Sequence, residues 1–148
     1  MGLAWNDALD FLERKPRSKG ELVAYLERKG YAEEEIKEVC QRLEELNYLD
    51  DYKFAQGWVE ERLRFKPMGR FRLEKELEKH FINSEIINSV LDELLTEDKE
   101  KEIALNLLKA KANKQDNITE KKAAAFLYRR GFAPAIIFDV LYKMGLKE

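Results

Sequence analysis

The chain reads as an all-α protein of three tandem three-helix repeats forming an elongated array, with its curvature left open. Apolar residues recur at helical spacing almost throughout, and the alternating Val/Ile/Thr-rich runs of half-buried strands are absent. The sequence is also self-similar. Leu22, Leu26, Tyr31, Ile36, Val39, Cys40 and Leu43 reappear 51 residues on as Leu73, Leu77, Ile82, Ile87, Val90, Leu91 and Leu94, and a further 50 on as Ala123, Leu127, Phe132, Ile137, Val140, Leu141 and Met144. The last four positions of each set fall at i, i+3, i+4 and i+7, the stripe of a helix with one buried face.

Each repeat opens on a further amphipathic stretch. These are Trp5, Ala8, Leu9 and Leu12; then Ala55, Trp58, Val59 and Leu63; then Ala104, Leu107, Leu108 and Ala112. Pro16 and Pro67 fall where the first helix of repeats one and two should stop. Ser18 and Glu21 form an S-x-x-E capping box for the next helix, and Asn83 and Thr119 read as N-caps further on. Gly30 and Gly131 share one repeat position, just past the middle helix, where a left-handed residue would end it. Glu33, Glu34 and Glu35 then open the third helix at its positive dipole end. The units run 1–49, 50–96 and 97–148. Each is too small to bury much surface alone, so neighbours should lean on one another. No Gly-, Ser- or Pro-rich linker separates them, and the charged stretch 96–102 is the expected mobile junction.

The 148 residues are 45% hydrophobic and 38% charged, with 27 Lys plus Arg against 29 Asp plus Glu. That balance supports a folded core and gives no global field to capture nucleic acid or an acidic membrane. One cysteine, Cys40, excludes an internal disulfide framework, and with one histidine, His80, the usual zinc clusters. No signal peptide is read, and no apolar run approaches the roughly 18 residues of a spanning helix. A cytoplasmic monomer without cofactor or metal is expected.

Catalytic groups are scarce. Serine occurs only at Ser18, Ser84 and Ser89, and the phosphate-loop, dinucleotide and HExxH metalloprotease motifs are all missing, which argues against an enzyme. Cys40 aligns with Leu91 and Leu141 and reads as core. His80 aligns with Lys29 and Arg130 and reads as an exposed helix-end residue. Asp50 and Asp51 read as an N-cap with a favourable dipole charge rather than a cation site. Trp5 and Trp58 fall on apolar faces and read as core.

Charge supplies the site candidates. From 33 to 51 eight acids face only Lys37 and Arg42. The next stretch inverts: Arg62, Arg64, Lys66, Arg70, Arg72 and Lys75 cluster around the Pro67-Met68-Gly69 turn, with Phe65 and Phe71 interleaved. A second group comprises Lys109, Lys111, Lys114, Lys121, Lys122, Arg129 and Arg130. Such patches suit phosphates or an acidic protein surface, and the aromatics can stack on bases; the alternative is a solvated face with both Phe in the core.

Several runs resemble one family: Arg17-Ser18-Lys19-Gly20-Glu21-Leu22, Leu26-Glu27-Arg28-Lys29-Gly30-Tyr31, and Tyr48-Leu49-Asp50-Asp51-Tyr52-Lys53-Phe54-Ala55. With Gly69-Arg70-Phe71-Arg72-Leu73-Glu74-Lys75-Glu76-Leu77 and Phe126-Leu127-Tyr128-Arg129-Arg130-Gly131-Phe132, they are similar to the RecX regulatory proteins of bacteria over nearly the whole chain. Two departures stand out. His80-Phe81-Ile82 stands where Lys-Gly-Ile is usual, and Met68 where a basic residue is common. The resemblance implies three three-helix repeats that bind the RecA recombinase and modulate, usually inhibit, its filament on single-stranded DNA, with effects on recombination, repair and the SOS response. On that reading Arg62, Arg64, Lys66, Arg70, Arg72 and Lys75 are the main contact to filament or DNA, and Lys121, Lys122, Arg129 and Arg130 a secondary one. The competing reading is a helix-turn-helix module acting directly on DNA. A sequence pI near 5.7 counts against it, leaving room for weak direct DNA binding only.

Overall fold

In the computed structural model, which describes residues 2–115 and 117–146, the described chain forms nine α-helices and no strand. They are α1 (Gly2–Arg14), α2 (Lys19–Arg28), α3 (Glu33–Glu45), α4 (Asp51–Phe65), α5 (Arg70–Lys79), α6 (Ser84–Leu94), α7 (Glu97–Lys114), α8 (Glu120–Arg129) and α9 (Pro134–Lys143). The caps lie where the side chains place them. Ser18 and Glu21 complete a reciprocal capping box on α2, and Asp50, Asn83 and Thr119 accept from the third backbone N–H of α4, α6 and α8. Thr96 does the same for α7, so 96–102 is the capped start of an 18-residue helix rather than the mobile junction its charge suggests. The charges there are i,i+4 partners such as Glu97 and Lys101, 3.2 Å apart, which favour helix.

Packing follows the repeats. The first helix packs against the third in each, and three separate core clusters form, one per repeat. Leu26, Leu77 and Leu127 are fully buried, as are Val39, Val90 and Val140. Truncating such a residue removes its transfer energy and leaves a cavity, so Leu77→Ala should cost about 2–5 kcal/mol, read as a lower urea midpoint. At Tyr31 the repeat position is only half-buried, because the hydroxyl donates to Asp7 Oδ2 at 2.5 Å and ties the α2–α3 loop to α1. That bond holds the phenol's proton, pushing its pKa up to about 12.

The repeats are joined by one device used twice. At the first joint Asp51, at the start of α4, accepts from the Lys19 N–H at 2.8 Å and caps α2 from the neighbouring repeat. The Ser18 hydroxyl donates to the His80 carbonyl at the end of α5. At the second joint Glu100 of α7 accepts from the Arg70 N–H at 2.9 Å, while Gly69 and Phe71 N–H donate to the Arg130 and Gly131 carbonyls at 2.8 and 3.0 Å. Gly69 has no side chain to cap α5, so the next repeat supplies the acceptor.

Glu100 is only 6% exposed, and burial holds its carboxyl above the usual range although the Arg70 N–H and charge pull it down. A carboxyl raised in the folded state binds its proton more tightly there than in the unfolded chain. Its contribution is therefore largest at acid pH and is lost as pH rises through the folded value. Glu100→Gln keeps an oxygen acceptor and should flatten this part of the stability profile above the ordinary glutamate range of about 4.3. Glu100→Ala should cost about 1–2 kcal/mol by leaving the Arg70 N–H unpaired. Urea titrations between pH 4 and 7 check both; identical profiles for wild type and Glu100→Gln would contradict the assignment.

The middle helices end alike in a left-handed residue: Gly30 and Gly131 at φ +91° and Phe81 at +64°. Phe81 takes the glycine conformation at an energetic cost, since Cβ crowds the backbone there. Its side chain lies against Gly20 of the neighbouring repeat, where any Cβ would overlap it. Phe81 is 59% exposed and loses little burial on truncation. Phe81→Gly should therefore be neutral to stabilising, by at most about 1 kcal/mol, in thermal unfolding.

Candidate functional site

The structure separates the basic residues into engaged and unengaged. Arg62 lies over the Trp58 ring at 4.7 Å and pairs with Glu76 at 3.0 Å. Arg70 bridges Glu74 at 3.0 Å, Asp92 at 2.8 Å and Asn88 at 3.3 Å, tying α5 to α6, and its two acids hold its proton more firmly despite partial burial. Arg130 packs on Phe126 at 5.1 Å and reaches the Pro67 carbonyl at 3.5 Å. Arg70 uses all three guanidinium nitrogens within the fold, and Arg62 and Arg130 each use one while packing on an aromatic ring. Arg64, over the exposed Phe65 ring at 5.8 Å, and Lys66 are exposed at the end of α4, and Lys121 and Lys122 at the start of α8.

Arg72, Lys75 and Arg129 are brought together. With Phe71, Tyr128, Gly131 and Pro134 they line a cleft of about 410 Å³ at the second joint. Each element places its residue for a local reason. α5 buries Leu73 and Leu77 and so turns Arg72 and Lys75 outward, while α8 buries Leu127 and turns Tyr128 and Arg129 outward. The close approach of the chains needs glycine at both contact points, since a Cβ on Gly69 would overlap the Gly131 carbonyl and one on Gly131 would overlap Arg72. The cleft has aromatic walls and a cationic rim. Phe71 is 46% and Tyr128 66% exposed, and Phe65 lies at 74%, so neither phenylalanine is core. Repeat three carries the matching bias, with 11 basic residues against 8 acids over 97–148 and the reverse count over 1–49.

Tyr128 and Pro134 are not legible as site residues in the sequence, because only the joint carries them to Arg72. Glu100 had a signal: it shares an i, i+4, i+8 stripe with buried Ala104 and Leu108, an odd place for a charge.

His80 is not an exposed helix-end residue. Its ring is held 4.3 Å from Trp58 and 5.3 Å from Phe54, and its Nδ1 lies 3.2 Å from Glu21 Oε2, out of line for a hydrogen bond. The first joint encloses it. Asp50 caps α4 as expected, but Asp51 serves the neighbouring repeat, and burial pushes its carboxyl up. Cys40 is buried in the first core, which pushes its thiol up and away from the reactive thiolate. Trp5 and Trp58 are half-buried against their cores. Among the described residues no group of three or more His, Cys, Asp or Glu could hold a metal ion, and no helix is long and apolar enough to cross a membrane.

Comparison with known proteins agrees with this architecture. A family model described as RecX, first three-helix domain, matches residues 4–43, and another, RecX, second three-helix domain, matches 50–91. Regulatory protein RecX of Chlorobium phaeobacteroides is 33% identical over 144 residues, covering 93% of this chain and 91% of its own. That of Caldanaerobacter subterraneus is 33% identical over 129 residues, covering 87% of this chain, which spans 64% of that longer relative. The crystal structure of RecX from Lactobacillus salivarius superposes with a TM-score of 0.89 at 23% identity, covering 97% of this chain and 95% of its own, which shows the shared fold. With both domain models matched in order on successive three-helix repeats, the chain belongs to the RecX family of regulatory proteins.

Proposed function

We propose that this chain binds the RecA recombinase and modulates, in the inhibitory direction, RecA filaments on single-stranded DNA, acting on recombination, DNA repair and the SOS response. It works as a cytoplasmic monomer, through units 1–49, 50–96 and 97–148, and without catalytic chemistry. Family membership supports the class of regulator. The observation that carries the contact is the cleft at the second joint, with three cations beside two exposed aromatic rings. We assign Arg72, Lys75 and Arg129 to the anionic partner, with Arg64, Lys66, Lys121 and Lys122 as outlying charges. Arg62, Arg70 and Arg130 hold the surface in place. An array of linked repeats can touch successive filament subunits at once, which multiplies weak contacts.

The test is binding to labelled single-stranded DNA with and without RecA and a slowly hydrolysed ATP analogue, across a salt series. Affinity that appears only with the filament supports the proposal. Equal affinity for naked DNA, with a salt slope near −0.7 per phosphate neutralised, would make direct DNA binding the primary activity, a reading that the exposed aromatic walls also suit.

A further inference from the structure

A second cleft, of about 350 Å³, opens at the first joint and belongs to none of the basic patches. Phe54, Gly57, Trp58 and Glu61 of α4 line it at i, i+3, i+4 and i+7, so they share one helix face. His80, just past the end of α5, closes it beside Pro16 and Glu21, and Lys15 and Lys53 stand at its rim. The aromatic wall is held in place before any ligand arrives. The Trp58 ring lies 4.3 Å from His80 in a tilted contact and 4.7 Å from the Arg62 guanidinium, and its indole N–H donates to Glu76 at 2.9 Å.

Gly57 is the unexplained residue. It stands inside a 15-residue helix, where glycine is unfavourable, yet its φ is not in the left-handed region and a Cβ there would meet nothing within 4 Å. No neighbour in the fold requires its bareness. A flat group resting on the helix between Phe54 and Trp58 would.

The charges define that group. Lys53 and Glu61 are eight residues apart on α4, about 12 Å along its axis, with the aromatic residues and Gly57 between them. A cation at one end and a carboxylate at the other, across a flat apolar platform, match a nucleotide: phosphate at Lys15 and Lys53, base over the Phe54–Gly57–Trp58 surface, and exocyclic amine donating to Glu61. A partner's arginine would suit the rings and Glu61 but not the two lysines, and the other carboxylate of the lining, Glu21, already faces the Ser18 N–H and His80. We propose that this cleft binds one nucleotide, preferring cytosine and adenine over thymine, uracil or guanine, because only the first two carry an exocyclic amine at the N4/N6 position, where the others present a carbonyl oxygen that a carboxylate repels.

Trp58 reports directly once Trp5 is replaced by Phe in the full chain. The probes are dCMP and dTMP as free nucleotides, and 12-residue dC and dT strands, titrated with Trp58 fluorescence as readout. The dC strand should quench Trp58 and bind about fivefold tighter than dT, with the preference lost in Glu61→Ala. Gly57→Leu should weaken dC binding about tenfold with helical content kept. Gly57→Ala should weaken it less while raising the thermal midpoint, a combination a purely structural glycine would not give. Quenching by dCMP as well as by the strand identifies a free-nucleotide site, and quenching by the strand alone a strand subsite; either supports the proposal. Arg72→Glu with Arg129→Glu disables the other cleft and should leave the Trp58 response intact, so failure of that interface is distinguishable from failure of this one. No Trp58 response to any nucleotide, equal dC and dT affinity, unchanged binding in Gly57→Leu, or quenching by an arginine-rich peptide but not by nucleotides would each overturn it.

Discussion

Reversing Arg72 and Arg129 together to Glu should lower affinity for RecA-coated single-stranded DNA by roughly tenfold or more, since two cations in one cleft become two repelling charges. Both side chains point outward from helices whose opposite faces are buried, so folding should change little. Arg70→Glu makes the contrast. Arg70 already neutralises Glu74 and Asp92, and reversal places a third negative charge among them, so stability should fall by about 1–3 kcal/mol. Anisotropy across a salt series, paired with urea unfolding, separates the two effects. If the Arg72/Arg129 variant binds as wild type at low salt, the cleft is not the interface.

Gly131→Ala should be the most damaging single-methyl change at a joint. Gly30 and Gly131 have the same φ of +91°, so alanine at either loses about 1–2 kcal/mol to backbone crowding. At Gly30 a Cβ meets nothing within 4 Å, whereas at Gly131 it overlaps Arg72. The difference between the two variants therefore isolates the joint, and Gly131→Ala should cost about 1–3 kcal/mol more than Gly30→Ala. It should also weaken filament binding, because Arg72 must move. Equal losses at the two positions would show that the second joint is not tightly packed.

Much of the fold is legible along the chain because it is local. A capping side chain acts on the amide three residues on, and a buried face repeats every three or four residues, so helix starts at Ser18, Asp50, Asn83 and Thr119 can be read one turn at a time. The repeat offset of about 51 adds the count of units. Function class is legible only through resemblance, since charge pattern alone suits a filament, a DNA strand or a solvated face equally. Residues 96–102 misled for an instructive reason: dense charge looks like a solvated linker, but charges spaced four apart and capped by Thr96 support a helix.

The all-helical repeats, their cores and the pool of basic residues follow from the order of amino acids alone. Which of those charges stay available to a partner is set by how the repeats pack. Arg70 and Arg72 are two residues apart in the same basic run, yet one is consumed by Glu74 and Asp92 while the other lines a cleft with Tyr128 and Arg129. The same holds for His80, which the chain places at a helix end and the first joint encloses between Trp58 and Phe54. The physical reason is that pairing and burial depend largely on partners distant along the chain, such as Asn88 facing Arg70, Gly131 facing Arg72 and the Pro67 carbonyl facing Arg130. Helical periodicity specifies which way a side chain leaves its own helix, and the joints between repeats specify what it meets.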